Sequence, residues 1–178
     1  VSRSNQATEL AKAYKIVLPG VGAFGDFMHR LRALGLEEAL REALDRGATL
    51  LGICVGMQAL FETGEEMGHH IGLGLLKGKV LRFPERSGIK IPHTGWNALI
   101  LRHQCPLFDH LSHPLYMYFN HSYYCAPLQN ENIMAETDHG ILFASAVGNG
   151  QIFGVQFHPE KSQNVGLMIL KNFLAWNP

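Results

Sequence analysis

The chain has 178 residues, 47% hydrophobic and 17% charged, a balance that fills a globular core without metals or disulfides. Lys plus Arg and Asp plus Glu each number 15, so the formal net charge is zero, with no basic block or acidic tail. This speaks against electrostatic attraction to nucleic acid or anionic lipid, and no apolar run approaches the roughly 20 residues a membrane span needs.

In chain order, Val1 to Tyr14 is polar with little pattern. The start on valine rather than methionine is compatible with a targeting segment having stood before it. Lys15 to Leu18 reads as a buried strand running into the glycine-rich turn Pro19-Gly-Val-Gly22. Phe24 to Leu34 reads as a short helix. Leu36 to Arg46 reads as a second, with Leu36, Ala39, Leu40, Ala43 and Leu44 at three- and four-residue spacing and Gly47 as its left-handed stop. Ala48 to Leu51 is a continuous apolar run, as expected of a central strand covered on both faces, and Val55 to Glu62 starts a helix. This rhythm predicts an α/β fold with a parallel sheet. Residues 62–78, rich in glycine, read as loop. Val80 to Phe83, Trp96 to Leu101, Leu115 to Phe119, Tyr123 to Ala126, Ile133 to Glu136, Phe143 to Val147 and Ile152 to Phe157 then read as short strands. Asn149-Gly150 predicts a hairpin turn between the last two. Val165 to Trp176 reads as an apolar helix packed on the sheet.

Gly52-Ile-Cys-Val-Gly56, between a strand and a helix, is the cysteine form of a nucleophile elbow. Its glycines give room where side chains would clash, the helix N-terminus behind Cys54 is expected to favour a thiolate, and the Val55 N–H is placed for an oxyanion. The competing reading of Cys54 is a buried core cysteine. Phe157-His-Pro-Glu160 supplies a base: i and i+2 on an extended segment share a side, and Pro159 keeps His158 extended. His158 would move the proton and Glu160 would orient the imidazole. A surface turn is the competing reading there, but two motifs at two strand ends point to one Cys-His-Glu site.

Gly52-Ile-Cys-Val-Gly-Met-Gln58 with Gln156-Phe-His-Pro-Glu-Lys-Ser162 resembles the class I glutamine amidotransferases. Lys90-Ile-Pro-His-Thr-Gly-Trp-Asn97, His121-Ser-Tyr123 and Pro19-Gly-Val-Gly-Ala-Phe24 are similar to the glutaminase subunits of imidazole glycerol phosphate synthase within that class. The resemblance runs from about Ile16 to Phe173, nearly the whole chain, and the rest is expected to belong to the same glutaminase domain, 1–178. It implies a three-layer αβα fold with a mostly parallel sheet and additional antiparallel strands. It also implies that an opening strand, loop and helix found in family members is absent ahead of Val1. By resemblance, Gln58, Ser122 and Tyr123 hold the amino-acid end of glutamine, and Val21 and Gly22 complete the oxyanion hole. Trp96, Asn97 and Lys161 face a synthase partner. Asn120 departs from the apolar residue the family tends to carry there, with a small local effect expected.

The implied reaction is hydrolysis of glutamine through a Cys54 thioester, with no metal or organic cofactor, and ammonia passing to a TIM-barrel protein, the cyclase subunit. Nearly every residue is used by the glutaminase fold, so the acceptor must be another protein. Glutaminases serving other synthases (sugar amidination among them), a stand-alone cysteine hydrolase and a non-catalytic binding module are the alternatives. The three cysteines, Cys54, Cys105 and Cys125, are odd in number with no Cys-x-x-Cys, which points to a reducing, cytoplasmic setting. Cys105 and Cys125 are expected to be structural, His69-His70 a solvated loop rather than a metal site, His93 and His121 satisfied structural histidines, and Met57 and Met117 core filling.

Overall fold

The computed structural model describes residues 2–85 and 88–177. A single helical turn, α1 (Ala7–Leu10), precedes β1 (Lys15–Gly20), α2 (Phe24–Ala33), α3 (Leu36–Asp45), β2 (Thr49–Cys54) and α4 (Val55–Gln58). The strands β3 (Thr63–Gly64), β4 (His70–Ile71), β5 (Gly78–Arg82), β6 (His93–Ala98), β7 (Ile100–Leu101), β8 (Tyr116–His121) and β9 (Tyr123–Pro127) follow. The chain closes with β10 (Ile133–Asp138), β11 (Leu142–Asn149), β12 (Ile152–Val155) and α5 (Gln163–Ala175).

The main sheet is mixed, in the order β1-β2-β12-β11-β9-β5-β3-β4, with β10 on β11 and β7 on β10. The β1-β2-β12 end is parallel, β12 to β5 is antiparallel, and β6 and β8 form a separate antiparallel ribbon. Every residue of β2 is buried, as its unbroken apolar run predicts. Its alternating side chains divide two cores. Leu50 joins Phe24, Met28 and Leu31 of α2 and Leu40 and Ala43 of α3, while Leu51 and Ile53 join Ile169 and Phe173 of α5 and Phe119 of β8. Met57 and Met117 are fully buried, one in each core. Among the described residues no helix is long and apolar enough to cross a membrane.

The structure corrects four local expectations. The helix after Cys54 stops after one turn because its next carbonyls are taken by a returning segment. Ala59 O, Leu60 O, Phe61 O and Glu62 O accept from Leu73 N, Leu75 N, Gly74 N and Gly72 N at 2.8–3.1 Å. Residues 62–78 are not wholly loop, since β3 pairs with both β4 and β5. The run from Trp96 to Leu101 is split between sheets, β6 in the ribbon and β7 on β10. The β11–β12 turn is centred on Gly150-Gln151 rather than Asn149-Gly150, because Asn149 already pairs with Ile152 and Gly150 takes φ 56°. A two-residue loop with glycine first suits the twist of an antiparallel pair.

The bend after β2 is packed backbone on backbone. Cys54 sits at φ 55°, ψ −112°, outside the regions favoured by residues with a side chain. A Cβ added at Gly56 would lie 1.8 Å from Leu18 O, at Gly52 2.5 Å from Gly56 O, and at Gly20 2.7 Å from Gly56 N. Gly56→Ala is therefore expected to lower unfolding free energy by about 3 kcal/mol or more. Gly74→Ala, at φ +64° in open space, should lose only about 1 kcal/mol from backbone conformation. Urea denaturation of both variants checks this; equal losses would remove the close approach as the constraint on the bend.

Candidate active site

The carboxyl ends of β1, β2 and β12 lie side by side, with Gly20 opposite Cys54 and Val155 opposite Ile53. What leaves these strands therefore converges: the Val21-Gly22 loop from β1, Cys54 from β2, and Gln156-Phe157-His158 from β12. A cleft of about 140 Å³ lies between them. Cys54, Val55, Gln58 and His158 line it, and Ser122 and Tyr123 close its far side where the chain crosses from β8 to β9. Lys161, Val21 and Gly22 also line it. The space suits a molecule the size of an amino acid, well below the several hundred Å³ of sites for larger ligands.

His158 is buried, with extended backbone at φ −100°, ψ 95°. Its main chain is clamped: His158 N donates to Tyr118 O at 2.9 Å, and Ser162 Oγ donates to His158 O at 2.7 Å. The imidazole Nδ1 meets Glu160 Oε1 at 2.8 Å. A carboxylate only accepts, so Nδ1 carries the proton and Nε2 is left to act as base. The reason for this contact differs from the expected strand alternation. β12 ends at Val155, and Glu160 turns back to the ring from a 3₁₀ turn, Pro159–Lys161. The Glu160 side chain remains 49% exposed.

The thiol is held as a thiol. Burial raises Cys54 to about 11; the Val55 N–H opposes this, Glu160 and Glu66 add to it, and Lys161 opposes it. The N–H group at the start of the one-turn α4 favours a thiolate, as expected, but desolvation outweighs it. The hydrogen bond to Sγ from a side chain comes from Gln156 Nε2 at 3.7 Å rather than from His158. Cys54 and His158 share the cleft, an arrangement in which a thiol can pass its proton to an imidazole. Cys105 and Cys125 are free and buried, consistent with packing.

Gln58 Nε2 donates to Tyr123 O and to Gln156 Oε1, both at 3.1 Å. Its Oε1 is the end left for a ligand. Two neighbours went unread in the sequence. Glu66, in the glycine-rich loop, lines the cleft while its Oε2 accepts from Phe24 N at the start of α2 at 2.7 Å. Gln156 lay inside the second motif without a role. Asn120 lines the cleft and accepts from Thr94 Oγ1 at 3.1 Å. His70 lies instead beside Phe24 and Gly25, away from this cleft.

On the outer face Trp96 is half-exposed and meets Tyr118 edge-on at 6.1 Å, with Lys161 Nζ 6.0 Å from the same ring. Asn97 is not part of that patch. As the next residue along β6 it faces the other way, donating to Asp138 O at 2.9 Å and contacting His93 Nε2 at 3.2 Å. His93 Nδ1 meets His121 Nε2 at 3.0 Å, and His121 Nδ1 meets Tyr123 O at 2.8 Å. The carbonyl fixes the direction of the chain: His121 donates to it, His93 donates to His121, and Asn97 donates to His93. His93 and His121 are thus satisfied structural histidines. Burial, with the neighbouring His139, lowers His93 to about 4; burial lowers His121 to about 3, with His93, His139 and His158 adding to the shift and the bond to Tyr123 opposing it.

The glutamine amidotransferase class-I family profile matches residues 2–176. The imidazole glycerol phosphate synthase subunit HisH of Chlorobaculum tepidum is 47% identical over 171 residues, covering 96% of this chain and 85% of the relative. The protein of the same name from Desulfitobacterium hafniense is 48% identical over 168 residues, covering 94% and 79%. Among solved structures, a glutamine amidotransferase superposes with TM-score 0.72 at 19% identity, covering 97% and 85%. A putative GMP synthase protein from Thermoplasma acidophilum superposes with TM-score 0.66 at 22% identity, covering 95% and 75%. These last two speak to fold alone.

The buried histidine pair generates a pH prediction. Protonating His121 would set two hydrogens against each other across 3.0 Å. Both folded-state values lie below 6.5, so the unfolded chain binds more protons in acid. The pair's stabilisation is present above pH 6.5 and is lost as pH falls through about 4 and 3. Urea unfolding from pH 7 to 4 should show a shallower decline in His93→Phe/His121→Phe than in wild type, by on the order of 1 kcal/mol or more. Parallel pH profiles would contradict the assignment.

Proposed function

The chain belongs to the glutamine amidotransferase class-I family, and on that premise we propose that it hydrolyses glutamine at Cys54 and delivers the ammonia to a synthase partner. The observation that carries this reading is a thiol at a strained bend sharing a small cleft with a carboxylate-oriented imidazole. Cys54 Sγ attacks the glutamine side-chain amide carbon while Nε2 of His158 takes the thiol proton. The tetrahedral oxyanion is met by the Val55 N–H and by N–H groups of the Val21-Gly22 loop. The C–N bond then breaks, and His158 returns the proton to the leaving ammonia. Water, activated by the same imidazole, hydrolyses the thioester to glutamate. Glu160 holds the ring and stabilises its charged form.

Recognition follows from the donors and acceptors around the cleft. Gln58 has both amide hydrogens engaged, so its Oε1 accepts from the substrate's α-ammonium, with the Glu66 carboxylate adding attraction. Ser122 and Tyr123 flank the same end. No step needs a metal or an organic cofactor.

Ammonia released to water at neutral pH is protonated and loses its nucleophilicity, so direct transfer is required. The relatives' description as subunits of imidazole glycerol phosphate synthase supports a TIM-barrel protein, the cyclase subunit of that enzyme, as acceptor. The exposed Trp96, with Tyr118 and Lys161, supplies an aromatic and cationic patch close to His158 for that partner. Asn97 would act from behind it through His93.

The test is glutamate release from glutamine with and without the cyclase subunit. Wild type is expected to turn over with the cyclase present and to fall sharply without it. Cys54→Ala and His158→Ala should each lose at least about 10³-fold. Glu160→Gln should lose less, since water reaches the exposed side chain it replaces. Turnover undiminished in Cys54→Ala would refute the reading.

A further inference from the structure

Gln156 is fully buried, two residues before His158, and its two ends face different partners. Oε1 lies 3.1 Å from Gln58 Nε2, and Nε2 lies 3.7 Å from Cys54 Sγ. A side-chain amide can be turned end for end, so what sets its direction matters. Here the direction is set from outside. The Tyr123 carbonyl can only accept, so the end of Gln58 that approaches it at 3.1 Å is the NH₂. That NH₂ also faces Gln156, which must present its oxygen to Gln58 and its own NH₂ to the sulfur. The backbone is equally fixed, because Gln156 N donates to Ser145 O at 2.9 Å. A buried glutamine with no freedom to flip is thereby made a permanent donor to the thiol.

Resting on the reading of Cys54 as nucleophile, we infer that Gln156 is a positioning residue for it. Its amide, locked by Gln58 and the Tyr123 carbonyl, fixes the position of Sγ and favours the sulfur in its anionic form. The need for such a donor is visible around the sulfur. Glu160 and Glu66 oppose negative charge there, Cys125 lies behind it, and Lys161 and His158 stand on the cleft side. The Val55 N–H and the Gln156 amide are the hydrogen-bond donors aimed at it. The same arrangement links grip to chemistry, because Gln58 touches both the cleft and Gln156.

The measurement is the rate of Cys54 alkylation by iodoacetamide against pH, with the modified peptide read by mass spectrometry and folding checked by thermal melting. Gln156→Met keeps length without the donor and should move the midpoint up by about one pH unit, a roughly tenfold smaller reactive fraction at neutral pH. Gln156→Glu turns a carboxylate toward the sulfur and should move it further. Ser145→Ala, a neighbour whose hydroxyl makes no contact with Sγ, should leave the midpoint in place. In turnover, Gln156→Met should lower kcat about tenfold. A Gln156→Met midpoint coincident with wild type in a folded protein overturns the inference. Should that variant not fold, Gln156→Glu reads the same quantity with the same two outcomes. Alkylation needs no glutaminase activity, so loss of turnover in Cys54→Ala with an unmoved Gln156→Met midpoint would sink this inference alone.

Discussion

The site depends on a main-chain contact in which no side chain fits. At the end of β2 the backbone of Gly56 lies against Leu18 O, and Gly52 and Gly20 press on the same residue. The bend forces Cys54 to φ 55° and sets its sulfur between the ends of β1 and β12. The parallel register does the rest, since β1 and β12 flank β2 with their carboxyl ends aligned. Backbone from one neighbour and the His158 imidazole from the other are then bound to arrive at the cleft that holds the thiol. Open α/β sheets place ligands at this edge for the same reason.

Electrostatics at the bend are balanced against the resting protein. Burial keeps the thiol protonated near neutrality, and the short α4 offers little helix dipole to oppose it. The imidazole is held in one orientation instead: a carboxylate fixes the proton of His158 on Nδ1, and Tyr118 and Ser162 clamp its backbone. In the mechanism we propose, charge on sulfur is called up when substrate and imidazole are both in place. The Tyr123 carbonyl anchors two chains of hydrogen bonds. One runs through Gln58 and Gln156 to Cys54, the other through His121 and His93 to Asn97. The second joins the site to the strand that carries Trp96.

Much of this was legible in the residues. The glycine pentapeptide identified the bend, the apolar run identified β2 as central, and Phe157-His-Pro-Glu160 identified a histidine and a carboxylate that meet at 2.8 Å. Where reading failed, tertiary contacts had overridden local signals. The helix after Cys54 was cut short by backbone from residues 72–76, which no periodicity reveals. Glu160 reached His158 through a 3₁₀ turn, so a correct pairing was predicted from the wrong geometry. Asn97, grouped with Trp96 by resemblance, hydrogen-bonds Asp138 O and His93 on the opposite face of β6. Glu66 and the role of Gln156 carried no local signal, because only the fold brings them to the sulfur.

The central claim is that glutamine becomes covalently bound to this sulfur. Acid quenching of the protein during turnover of radiolabelled glutamine, with the cyclase present, followed by peptide mapping, tests it most directly. Label should be found as a γ-glutamyl thioester on the peptide carrying Cys54 and be absent from those carrying Cys105 and Cys125. Steady release of glutamate with no label accumulating at Cys54, under conditions that trap thioesters, would contradict the account.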